Sequence, residues 1–148
     1  MSTGQFGVVR PYEDWMREKV FAFLDSIGYT LGKGWVVPTG TPDDDAVAWV
    51  ERTPIDLLVL PYNKHRTVDD GPFVDGVGVA LLLSEAFVAR GIPVVMPTTD
   101  FSMGVSFDRR FAELRERRPE VAALIVVMPE SKIGAAEIIE QIEKVAPG

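Results

Sequence analysis

Five short apolar runs constrain this chain more than anything else in it: 6–9 (FGVV), 34–37 (GWVV), 55–60 (IDLLVL), 92–96 (IPVVM) and 122–128 (AALIVVM). Most are rich in Val, Ile and Leu without clean polar alternation, the pattern of strands buried on both faces of a parallel sheet. Helical patterns follow them. Met16, Val20, Phe23, Leu24 and Ile27 recur at helical spacing, with Gly28 as a stop signal. Thr41-Pro42-Asp43-Asp44-Asp45 reads as a cap, a first-turn proline and acids at the positive end of a short helix that turns Val47 and Val50 inward. A third helix is expected over residues 76–90, ended by Gly91. A fourth places Phe107, Phe111 and Leu114 on one face, and a fifth does the same with Ala135, Ile138, Ile139 and Ile142. Five βα units imply a parallel sheet with helices on both faces and right-handed crossovers.

A proline follows every run: Pro11, Pro38, Pro61, Pro97 and Pro129. Each alone is an ordinary strand terminator, because proline has no N–H and a fixed φ. Together they mark the carboxyl edge of the sheet, where open α/β folds bind their ligands. At the exit of the third run that edge carries Pro61, which can neither ionise nor hold a metal. The longest irregular pieces, 62–75 and 98–105, also follow strands directly.

With 148 residues and 47% hydrophobic side chains the chain is expected to form one domain, residues 1–148, with a substantial core. Fifteen basic against 22 acidic residues leave a formal charge of −7, which disfavours nucleic acid as a partner. The absence of cysteine excludes disulfides, thiolate metal sites and cysteine nucleophiles. No run approaches the about 20 apolar residues of a membrane span, and no leader pattern stands at the N-terminus, so a cytoplasmic location is expected. No glycine-rich phosphate loop follows any strand, and no cofactor or metal is expected.

Two groups of charged residues are candidates for binding. Asn63, Lys64, His65 and Arg66, with Arg10 and Thr98, could attract a small anion or nucleotide to the carboxyl edge. The lone histidine has no second His or Cys to make a transition-metal site, and its ordinary place is a solvated loop. On the fourth helix Arg109, Arg110, Arg115, Arg117 and Arg118 form either a solvated face paired with Glu113 and Glu116 or a docking face for an acidic protein partner. Trp15, Trp35 and Trp49 are expected to pack or half-pack against the sheet.

In order and spacing the chain resembles the receiver domains of bacterial two-component response regulators over about residues 6–146. FGVVRPYEDWMREKVFAFLDSIGYT resembles a first strand, loop and helix with the Gly-Tyr that opens strand two. IDLLVLPYN is similar to the third strand and its exit, DGVGVALLLSEAFVARGIPVVMPTT to the Asp-Gly turn, third helix and fourth strand, and VVMPESKIGAAEIIEQIEKV to the fifth strand and final helix. The resemblance implies an α/β, flavodoxin-like, doubly wound sheet of five parallel strands in the order 2-1-3-4-5.

The family's phosphoryl chemistry does not carry over. Its pair of Mg²⁺-holding acids falls on Arg10 and Pro11, its phospho-acceptor on Pro61 and its lysine on Met128. The hydroxyl position, Thr98, and the proline after the lysine position, Pro129, remain. Arg10 would also set a positive charge where the cation belongs. Glu13 and Asp14 just past the first loop, and Asp69, Asp70 and Asp75 on a third loop longer than the family norm, suit a helix start and a solvated turn. The resemblance thus implies an aspartate-less receiver that works without phosphorylation or catalysis. Its expected partners are proteins, including, as one option, a second copy through helix four, strand five and helix five. An enzymatic alternative is a nucleotide or NAD glycosidase using Glu85. The run Asp75-Gly76, Ser84-Glu85 and Gly91-Ile92-Pro93 loosely resembles Toll/interleukin-receptor-like domains and nucleoside deoxyribosyltransferases.

Overall fold

A computed structural model describes residues 4–9, 14–38, 41–62, 65–66, 73–99 and 105–145. Five strands, β1 (Gly4–Val9), β2 (Tyr29–Val37), β3 (Leu57–Val59), β6 (Val94–Thr98) and β7 (Ile125–Pro129), form a parallel sheet in the order β2-β1-β3-β6-β7. Counted along the sheet this is 2-1-3-4-5, as expected. Two short strands missed in the sequence, β4 (His65–Arg66) and β5 (Phe73–Val74), pair antiparallel inside the long third loop. Their period is too short to show above loop composition.

Period-two alternation along buried strands divides the core into two clusters, one on each face of the sheet. Phe6, Val8, Leu57, Val59, Val95, Val126 and Met128 pack with the first helical segment and α6 (Ala136–Val145). Leu58, Leu60, Val94, Met96 and Ile125 pack with α2 (Asp43–Arg52), α3 (Gly76–Arg90), α4 (Val105–Arg117) and the short α5 (Pro119–Ala122). A side chain waits on either face, so the strands read as continuous apolar runs.

The first helical segment opens with a π-helical stretch, Met16–Val20, and continues as α1 (Phe21–Ser26). The amide of Phe21 donates to Met16 O, a turn one residue wider than an α-turn. Gly91 ends α3 in the left-handed conformation (φ 65°), and Ile92 N–H closes back on Phe87 O at 3.0 Å. This is the glycine termination the sequence predicts. Thr41 is not the cap of α2. Pro42 occupies that position, and the Thr41 hydroxyl instead donates to Pro38 O at 2.8 Å, tightening the turn before the helix. From α3 the Arg90 guanidinium donates to Val50 O (2.8 Å), Thr53 O (2.6 Å) and Ile55 O (3.3 Å), fastening the end of α2 to its neighbour.

Of the five prolines, Pro97 and Pro129 lie inside the strands, not after them. Pro97 gives up one ladder donor, yet its carbonyl still accepts from Tyr62 N–H at 2.9 Å. All three tryptophans are half-buried against the core clusters. The ring of Trp49 lies so close to β1 that a Cβ on Gly7 would fall 2.6 Å from it.

Candidate functional site

Parallel pairing sets the strand ends level at the carboxyl edge. Pro97 stands beside Met128 and Thr98 beside Pro129, while the bond from Tyr62 to Pro97 brings Pro61 into the same row. The structure thus gathers Pro61, Thr98, Met128 and Pro129 at one edge, as the sequence implies. Their chemistry is inward-looking. Pro61 is buried, Met128 is completely buried in the cluster beneath α6, and Thr98 is completely buried with its hydroxyl donating to Thr99 O at 3.3 Å. Arg10, Pro11, Asn63 and Lys64 lie outside the described residues. Of His65 and Arg66 only the backbone is described, as the strand β4. Among the described residues no three His, Asp or Glu side chains come together as a metal site.

The exit of β3 is stitched to its surroundings. Tyr62 N–H donates to Pro97 O, Tyr62 O accepts from Gly76 N–H at 3.1 Å, and the Tyr62 ring lies 4.7 Å, centroid to centroid, from Phe107 of α4. Phe107 in turn stacks on Phe111 at 5.3 Å. Gly76 is glycine for a visible reason: a Cβ there would stand 2.7 Å from Pro61 O and 2.8 Å from Tyr62 Cα. The first turn of α3 therefore rests directly on the Pro61–Tyr62 backbone.

Asp75, Arg110 and Tyr62 form a polar cluster over this contact that the sequence did not single out. Asp75 caps α3 by accepting from Gly78 N–H at 2.8 Å. Its carboxylate also receives Arg110 Nε at 2.8 Å and Nη2 at 2.9 Å, a two-pronged charge-assisted contact between the start of α3 and the second turn of α4. Burial pushes the Asp75 carboxyl up, but the hydrogen bonds from Arg110 and Gly78 outweigh it and hold it below its ordinary range. The Arg110 guanidinium is held more firmly protonated by the Asp75 hydrogen bond. Burial, and then the Asp75 charge, push the Tyr62 phenol up. A cap residue before a helix and an arginine 35 positions later carry no joint signal in one sequence. The sequence reads Asp75 as part of a solvated acidic turn; it instead caps α3 and is tied to Arg110.

The five arginines read as one face serve different ends. Arg110 locks Asp75, and Arg118 pairs with Glu120 at 2.6 Å in place of the Glu113 and Glu116 that helical spacing offers. Arg115 lies 5.7 Å above the Phe111 ring and lines a groove of about 350 Å³ running from α4 across β7 to α6. Arg117 lines a cavity of about 110 Å³ between α3 and α4, and Arg109 is exposed. A single docking face made of all five is therefore corrected: Arg110 is engaged within the fold. Successive residues turn by about 100°, so neighbours such as Arg109 and Arg110 diverge. Glu85 is exposed midway along α3, away from the carboxyl edge.

No protein-family model matches the chain, nor does any curated protein. Solved structures do share the fold. A response regulator protein from Burkholderia multivorans superposes with a TM-score of 0.51 at 20% identity, covering 99% of this chain and 98% of that one. A de novo designed Rossmann 2x3 fold protein superposes with a TM-score of 0.54 at 9% identity, covering 98% of this chain and 94% of its own. At such identities the likeness is one of architecture: a doubly wound parallel sheet with receiver-like topology. That a designed protein shares it underlines that the fold alone assigns no activity.

Proposed function

We propose that this chain is a receiver-like signalling or scaffold module that works by protein–protein contact without phosphoryl transfer. The observation that carries the reading is Pro61, buried at the exit of β3, the position from which the receiver resemblance would present its acceptor carboxylate. Met128, buried at the end of β7, supports it: the resemblance asks for a lysine there, and a thioether offers no charge to a phosphoryl group. The similarity of fold to a response regulator protein is consistent with a place in signalling. The contact face under this reading is the groove between α4, β7 and α6. Its apolar floor includes Phe107, Phe111 and Val127, and its rim is charged. Partner sites combine these features in the same way.

The test is incubation with acetyl phosphate, and separately with beryllofluoride and Mg²⁺. The expected result is no covalent phosphate and no thermal shift that requires both beryllofluoride and Mg²⁺. Stoichiometric phosphorylation, or a shift dependent on the pair, would overturn the reading.

A further inference from the structure

Both α3 and α4 lie on the same face of the sheet, and Asp75 and Arg110 tie them together near their starts. Beyond that tie lies the cavity of about 110 Å³. Its floor is aliphatic. Val77 from α3 and Leu114 from α4 are buried in the core cluster, and Leu81 of α3 packs against it. Protein interiors are close-packed, so carbon atoms that face a gap lack the dispersion contacts that an apolar group entering it would make.

The volume limits the class of ligand. Nucleotides and drug-sized molecules need pockets of about 300 Å³ or more. An apolar cavity of about 150 Å³ takes one benzene ring. The space between α3 and α4 therefore suits a single branched aliphatic group of about four carbons.

The walls add two opposite charges. Arg110, Glu113, Leu114 and Arg117 line the cavity from α4, at the three- and four-residue spacing that sets them on one face. Arg110 is committed to Asp75, and Arg118, at the far end, to Glu120. Glu113 and Arg117 are exposed, and among the described residues neither holds an ion pair or a hydrogen bond. They stand one turn apart, an axial rise of about 6 Å, without closing on each other. An exposed pair at that spacing is weak, so little is lost when a ligand comes between them.

An anion alone does not match these walls: Arg117 would draw it and Glu113 would repel it. A cation alone meets the converse. A molecule that carries both charges on one carbon, together with an apolar branch, is complementary to the floor and to both walls. Such a zwitterion has no net charge, so the −7 of the chain neither draws nor repels it.

We propose that the cavity between α3 and α4 binds a free aliphatic α-amino acid of the size of valine or leucine. Its side chain lies on Val77, Leu81 and Leu114, its carboxylate accepts from the Arg117 guanidinium, and its ammonium donates to Glu113. Arg110 and Arg118, held by Asp75 and Glu120, close the two ends. The groove between α4, β7 and α6 is lined by other residues of α4, Asp108, Phe111 and Arg115, so this site stands apart from the protein-contact face.

The test is titration of the isotope-labelled full chain with L-leucine, followed by amide NMR and by calorimetry. Saturable shifts centred on the amides of α3 and α4 are expected. Glycine lacks the apolar branch, isocaproate the ammonium and leucinamide the carboxylate, and each should bind about tenfold or more weakly. Arg117→Gln and Glu113→Gln should each weaken leucine about tenfold with an unchanged circular dichroism spectrum, since both side chains are exposed. Leu81→Phe should fill the cavity and abolish leucine binding, with a melting temperature no lower than that of wild type. Should that variant fail to fold, the two glutamine variants decide. Absence of a saturable response to leucine overturns the inference, as does binding that isocaproate equals or that Glu113→Gln leaves unchanged. Phosphorylation by acetyl phosphate would sink the phosphorylation-independent reading and leave this site untouched, so the two failures are distinguishable.

Discussion

The Arg110 guanidinium reaches from α4 to take both carboxylate oxygens of Asp75, at 2.8 and 2.9 Å, while one of those oxygens caps α3 through Gly78 N–H. One carboxylate thus closes the orphan amides of a helix and ties that helix to its neighbour. Asp75→Ala removes both functions and is expected to cost about 2 kcal/mol, about half from the cap and the rest from the charge-assisted pair. Asp75→Asn keeps a good capping group and should lose only about 1 kcal/mol. Arg110→Ala should also lose only about 1 kcal/mol, since its side chain is 38% exposed and the pair is partly screened by water. Urea unfolding of the three variants checks the order, and a double-mutant cycle isolates the pair.

The depressed Asp75 carboxyl has a consequence for acid stability. Its folded-state pKa lies below its ordinary 3.8, with burial opposing and the Arg110 and Gly78 hydrogen bonds prevailing. The stabilisation is therefore fully present above the ordinary carboxylate range and is lost as pH falls through the lower, folded value. The stability gap between wild type and Arg110→Ala should narrow as pH drops below 3.8 and stay constant from there to neutrality. Tyr62 has the opposite sign. Its phenol is raised above 10.0 by burial and then by Asp75, so its contribution is present below 10.0 and lost as pH rises through the folded value. Ultraviolet titration of the phenolate should show Tyr62 ionising later in wild type than in Asp75→Ala.

Gly76→Ala should be poorly tolerated although alanine favours helices. The new methyl would meet Pro61 O at 2.7 Å and Tyr62 Cα at 2.8 Å, both main-chain atoms held by the bonds from Tyr62 to Pro97 and Gly76. Relief requires backbone movement, and overpacking of this kind costs about 1–3 kcal/mol. The displaced residues carry Tyr62 on Phe107, so near-ultraviolet circular dichroism should change along with the melting temperature. A native aromatic spectrum and an unshifted melt would show that α3 does not bear on the β3 exit.

The sheet was legible because strands buried on two faces leave a strong one-dimensional trace: Leu57 to Leu60 are apolar without a break since each face has its own cluster. Helix ends at Gly28 and Gly91 were legible for the same local reason, a backbone at positive φ. The receiver resemblance likewise brought Pro61, Thr98 and Met128 to one edge. The rest depended on distance in sequence. Nothing near Arg110 announces Asp75, so an arginine that stitches two helices reads like the solvated Arg109 beside it. The β4–β5 pair was missed because two-residue strands have no period.

Restoring an acceptor alone should not restore phosphoryl chemistry. Pro61→Asp would place a carboxyl at the buried exit of β3, in the position the receiver resemblance assigns to its phospho-acceptor. An acceptor of that kind needs Mg²⁺ held by further hard oxygen ligands and a cation on the phosphoryl oxygens. The sequence offers Arg10 and Pro11 in place of the acids and Met128 in place of the lysine. The substitution also frees the φ that proline fixes and buries a carboxyl, so it should lower stability by about 1–3 kcal/mol. Intact-mass spectrometry after incubation with acetyl phosphate and Mg²⁺ should show no phosphoryl adduct on Pro61→Asp. Adduct formation by this single variant would mean that the edge of the sheet retains the ligands of a phosphoryl site, and the contact-only reading of the chain would have to be abandoned.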